Sequence, residues 1–125
     1  MNSSNAPSQL LKSPYVSRDP ASGNNGATYS VDRQFQVFEI EQITAATQET
    51  RTLNGPTKSG LICTVVAHAM AAGGSVKVAL NNSAGTVSSY VTISAAGKGA
   101  LLMSWPTGLS TNVETYQWVP VFANA

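Results

Sequence analysis

Ser75-Val-Lys-Val-Ala-Leu-Asn-Asn-Ser-Ala-Gly-Thr-Val-Ser-Ser-Tyr-Val-Thr-Ile93 decides the fold class. Its first half alternates strictly, with Val76, Val78 and Leu80 on one side of an extended chain. Its second half places Val87, Val91 and Ile93 on one face. Alternation with a period of two is the pattern of a half-buried strand. The Asn81-Asn-Ser-Ala-Gly85 cluster between the halves is turn chemistry, so the stretch reads as two strands joined by a turn.

Outward from this pair the same grammar repeats. Leu61-Ile-Cys-Thr-Val-Val-Ala-His68 is apolar on both faces and reads as a central strand, preceded by the turn signal Asn54-Gly55-Pro56. Phe35 to Ile43 is β-rich with imperfect alternation: Phe35 and Val37 share one face, Phe38 and Ile40 the other. A bulge, or burial on both sides, accounts for that. Gln48 to Leu53 alternates mostly polar residues and is weakly strand-like. Ala100 to Trp105 reads as a strand stopped by Pro106 and Gly108, and Val113 to Phe122 as the last. Pro120 donates no hydrogen bond, so that strand is an edge or ends early. No segment sustains a 3.6-residue apolar period. About seven strands with turns between them give an all-β protein, a two-sheet β-sandwich or jelly roll.

Residues 1–34 have a different composition. Pro7, Pro14 and Pro20 punctuate runs of Ser and Asn. Such a stretch has too few apolar side chains to offset chain entropy through its own contacts. The division expected is an extended N-terminal arm, 1–34, and a β-sandwich domain, 35–125. The arm is expected to become ordered on other chains, with Leu10, Leu11, Tyr15, Val16 and Tyr29 as its anchors.

Charge points the same way. Charged residues make up 10% of the chain, against about 25% in an average soluble domain. From Gly60 onward the charged side chains are Lys77, Lys98 and Glu114. Interface cores are depleted in Lys, Glu and Asp. A net charge of +1 offers no field for nucleic acid or an anionic membrane. No apolar run approaches the length of a membrane span. The N-terminus lacks the basic and apolar regions of a secretory signal, and a single cysteine, Cys63, fits a reducing compartment.

Chemistry has little material. Cys63 and His68 lie five apart on one strand, hence on opposite faces, and cannot pair as nucleophile and base. Glu39 and Glu41 share a strand face but flank no cleft, which suits a solvated or interface-facing surface rather than a glycosidase pair. One His and one Cys cannot supply a zinc site, and Asp32, Glu39 and Glu41 are too few for calcium. Gly97-Lys98-Gly99 lacks the spacing of a phosphate loop. No catalytic, cofactor or metal residue is assigned, and no enzyme is expected. Tyr116, Trp118 and Phe122 share one parity of the last strand: a ligand platform, a subunit interface or core packing.

The Ser/Thr/Ala/Gly/Asn-rich strands SVKVALNNSAGTVSSYVTISAAG (75–97), the scarcity of charge and the Pro/Ser/Asn-rich arm together resemble capsid decoration (cement) proteins of tailed bacteriophages. Such proteins commonly sit as trimers where capsomers meet and clamp the major capsid protein against internal DNA pressure. Many use an N-terminal arm, and a jelly roll is one of several folds they adopt. The resemblance implies a virion protein made in the host cytoplasm, binding the major capsid protein or another virion protein and other copies of itself. The alternative is a receptor- or carbohydrate-binding β-sandwich module of a phage fibre or spike, with aromatics stacking on sugar rings.

Overall fold

The computed structural model describes residues 15–18, 25–42, 45–110 and 113–124. They form nine strands: β1 Tyr15–Arg18, β2 Ala27–Tyr29, β3 Phe35–Gln42, β4 Gln48–Leu53, β5 Ile62–Met70, β6 Ser75–Asn81, β7 Val87–Ile93, β8 Gly99–Ser110 and β9 Val113–Asn124. A five-stranded sheet runs β1-β3-β5-β8-β9, and a four-stranded sheet runs β2-β4-β6-β7. The all-β, two-sheet expectation holds.

The winding is particular. From β1 to β6 the chain alternates between sheets, so each return to a sheet lays a strand parallel to the last one there. A parallel neighbour needs a crossover, and here the other sheet supplies it. β7, β8 and β9 then pair antiparallel. The four parallel pairs make this a two-sheet sandwich and set it apart from the antiparallel jelly roll.

The inward faces carry the core. Phe38, Ile40, Cys63, Val65, Leu102 and Trp118 come from one sheet, and Leu53, Val76, Val78, Leu80, Val91 and Ile93 from the other. Burial pushes the Cys63 thiol up from 9.0 to about 12, so it stays a neutral core hydrophobe. β5 is the central strand of its sheet, and β9, with Pro120, is an edge. The 54–56 turn packs directly on the Asn81-Asn82 turn. A Cβ at Gly55 would stand 1.9 Å from the Asn82 carbonyl oxygen, so only glycine fits.

Three expectations change. The domain does not begin at residue 35. β1 pairs in register with β3, and β2 with β4. Tyr29 stacks on Phe38 at 4.7 Å between ring centroids, and Val31 also packs on the core. Second, β8 does not stop at Pro106. It continues to Ser110, with a register shift between Pro106 and Gly108 absorbing the proline. Third, Val87 does not share the inward face of Val91 and Ile93. A shift between Leu80 and Asn81 opposes Asn81 to Val87 and leaves Val87 exposed.

β4 holds the least ordinary part of the interior. Its alternation points Glu49, Arg51 and Leu53 inward. Arg51 is wholly buried, and its Nη2 meets Glu49 Oε1 at 3.0 Å. The same guanidinium donates to the Thr50 carbonyl at 2.9 Å and, across the sandwich, to the Glu41 carbonyl of β3 at 3.3 Å. Nearby Gln42, also buried, donates to the Thr47 carbonyl and accepts from the Ala71 amide.

Candidate functional site

The two outer faces of the sandwich differ in kind. On the four-stranded sheet the outward positions are Gln48, Thr50 and Thr52 of β4, Ser75, Lys77 and Ala79 of β6, and Tyr90 and Thr92 of β7. Lys77 Nζ sits 4.2 Å from the centre of the Tyr90 ring. This is a hydroxyl- and amide-rich surface of the sort that faces water.

The outer face of the five-stranded sheet is apolar. Strand register places Phe35, Ile62, Met103 and Val119 in one row across β3, β5, β8 and β9. The next row is Val16, Val37, Thr64, Leu101 and Phe122, crossing all five strands. Trp105 lies beyond, opposite Gln117. Phe122 is 63% exposed, Trp105 58% and Val16 49%. Single exposed apolar residues are ordinary, but a contiguous sheet face of them marks an interaction site. Among the described residues, charge on this face lies at one rim. There Arg18 donates to Glu39 Oε1 at 3.0 and 3.1 Å.

His68 belongs to that rim. The register between β3 and β5 shifts after Ile40, pairing Glu41 with Ala69, so His68 has no partner on β3. Its Nδ1 lies 3.8 Å from Glu39 Oε2 and its Nε2 3.8 Å from Glu41 Oε1. Cys63 faces inward and His68 outward, as their odd spacing requires. Among the described residues no group of three or more His, Cys, Asp or Glu side chains is arranged to hold a metal ion.

The predicted aromatic trio is not one face. Trp118 is 1% exposed, lies in the core and donates from Nε1 to the Asn54 carbonyl at 2.8 Å. Leu101 opposes Phe122 while Leu102 opposes Pro120, so Val121 is an extra residue. That bulge turns Phe122 to the outside, whereas Trp118 points in. Tyr116 lies at one end of the sandwich, half-buried, beside a hollow of about 420 Å³ lined also by Gly55, Pro56, Ser83 and Glu114. Its hydroxyl donates to Glu114 Oε2 at 3.4 Å. Partial desolvation, then the adjacent carboxylate, raises its pKa above 10.0.

Of the expected arm anchors, Leu10 and Leu11 lie outside the described residues, and Tyr15 is described only as the first residue of β1. Val16 is on the apolar outer face, and Tyr29 is committed to its own domain through Phe38. Sequence reading missed Phe35 and Leu101 as surface residues. The signal was the two-sided apolarity of the strands that became β3, β5 and β8, which central burial explained equally well.

No protein-family model matches the chain, and neither a curated protein nor a solved structure matches it.

Proposed function

We propose that the protein is a non-enzymatic structural subunit of a virion. In this reading it is a capsid decoration protein that stabilises the shell by binding the major capsid protein and neighbouring copies, with the N-terminal arm as its grip. The observation that carries this reading is the apolar outer face of the five-stranded sheet, set against the hydroxyl-rich face of the other sheet. One molecule with one wet and one apolar sheet face is built to be covered by other protein. The scarcity of charge and the style of the sequence support the virion form of the reading.

The experiment is co-sedimentation with particles assembled from the major capsid protein. Because β1 and β2 are part of the sandwich, the informative truncation removes residues 1–14 and leaves every described strand in place. Full-length protein is expected to pellet with the particles. The truncated protein is expected to lose at least about tenfold in affinity, as removal of two apolar anchors, Leu10 and Leu11, implies. Undiminished binding by the truncated protein would sink the arm's role, and no binding by either would sink the virion role.

The exposure of Trp105 favours a second reading, the carbohydrate- or receptor-binding module. Glycan binding that disappears in Trp105→Ala, with no binding to particles, would put that reading first.

A further inference from the structure

We propose that the hollow beside Tyr116, at one end of the sandwich, binds one neutral sugar ring, with the Tyr116 ring as its platform and the Glu114 carboxylate as acceptor for its hydroxyls. The site lies apart from the apolar sheet face and does not depend on the assembly reading above.

Residues 55–57, 83–84 and 114–116 wall the hollow, and the structure ties these segments to one another. Gly55 packs on the Asn82 carbonyl closely enough to exclude a Cβ. The Ser83 amide donates to the Tyr116 carbonyl at 2.8 Å, and the Tyr116 amide to Ser83 Oγ at 2.9 Å. The Trp118 indole holds the Asn54 carbonyl at 2.8 Å. Asn82 Oδ1 accepts from the Ala84 and Thr86 amides, both at 3.0 Å, which closes the turn carrying Ser83. The walls are therefore set before a ligand arrives, and binding bears little ordering cost. At about 420 Å³ the hollow falls within the range of small-molecule sites, about 300–1,000 Å³. The hollows beside Val31 and Phe122, about 180 and 210 Å³, fall below it.

The chemistry of the walls selects the ligand. Ser83 Oγ accepts from a backbone amide and keeps its own proton to donate. The Thr57 hydroxyl has no hydrogen-bond partner among the described residues. Glu114 Oε2 takes the Tyr116 hydroxyl at 3.4 Å, which leaves Oε1 for a ligand. A sugar hydroxyl both donates and accepts, so neighbouring hydroxyls of one ring can satisfy the carboxylate and the Ser83 donor together. An ammonium group offers no acceptor to Ser83 or Thr57. An anion would meet the carboxylate of Glu114, the one charged side chain on the described walls. The Tyr116 ring presents apolar surface to the C–H face of a pyranose. The hollow is open to solvent on one side, which leaves room for the rest of a glycan chain.

Titration of the full chain with glucose, galactose, mannose and N-acetylglucosamine, followed through its backbone amide NMR signals, tests this. At least one sugar is expected to move the Ser83 and Tyr116 amides, with a Kd on the order of 1 mM, as suits a ligand of about a dozen heavy atoms. Tyr116→Ala and Glu114→Gln should each weaken binding about tenfold or more, through loss of the ring and of a charge-assisted hydrogen bond. Tyr116→Phe keeps the ring and should stay within about threefold of the parent. Trp105→Ala, on the sheet face, should change nothing. Amide signals away from the hollow show whether each variant is folded, and if Tyr116→Ala is not, Glu114→Gln decides, since its side chain is exposed. Four results overturn the proposal. One is no shift from any of the four sugars at roughly 50 mM, far above a Kd of that order. Another is binding that survives Tyr116→Ala or Glu114→Gln in a folded protein. A third is binding lost in Trp105→Ala, which would move the sugar to the sheet face. The last is methylammonium or inorganic phosphate moving the same amides at lower concentration than the sugars.

Discussion

Arg51→Ala is expected to destabilise the protein by about 3–5 kcal/mol, because it leaves a carboxylate buried without its partner. The Glu49 side chain is only 5% exposed and has no water to take over from the guanidinium. The substitution also removes the donors to the Thr50 and Glu41 carbonyls, the latter a link between the two sheets. Glu49→Ala should cost a comparable amount by stranding the cation. The double substitution Glu49→Leu with Arg51→Met should recover most of the loss, since apolar replacements of similar volume remove both desolvation penalties together. Urea unfolding of the parent, Glu49→Leu, Arg51→Met and the double variant gives the coupling energy directly. Additive losses in the double variant would show that the pair contributes nothing as a pair.

Trp118→Ala is expected to cost about 3–5 kcal/mol, the range for deleting a large aromatic from a packed core. Trp118 comes from an edge strand, and its ring fills the space between the sheets. Its Nε1–H meets the carbonyl of Asn54, just after β4, so it also ties the edge of one sheet to the end of the other. Trp118→Phe keeps most of the ring volume but leaves that carbonyl without its indole donor, so it should cost less, about 1–3 kcal/mol. Thermal unfolding ranks the two variants. A Trp118→Ala protein as stable as the parent would mean that β9 is not docked as described.

The main architecture was legible because apolar alternation and turn chemistry coincide in residues 75–93 and in the two-sided apolar strand β5. Pro120 located an edge for a physical reason, its missing donor, and the edge is there. Three things were not legible. β1 and β2 are three or four residues long, and their order comes from parallel pairing with β3 and β4, which leaves no trace in local composition. β4 was weakly readable because its inward residues are Glu49 and Arg51, which satisfy each other inside the core and mask the usual polarity contrast. The outward turn of Phe122 depends on a one-residue bulge, and a period-two reading cannot place a bulge.

The same limit applied to the candidate site. Apolar residues on both faces of a strand describe burial by the protein's own second layer or by another molecule equally well. Only the positions of the two sheets separate these cases. Here the second layer covers one face of the five-stranded sheet and leaves the row from Val16 to Phe122 outside.

The asymmetry of the two outer faces is the claim on which the functional account stands, and site-specific photo-crosslinking reads it most directly. A crosslinking residue placed at Leu101 reports on the apolar face, and one at Thr92 on the hydroxyl-rich face. With the protein at working concentration, alone and on assembled particles, protein crosslinks are expected from Leu101 and none from Thr92. Crosslinks from Thr92 with Leu101 left unreacted would contradict it.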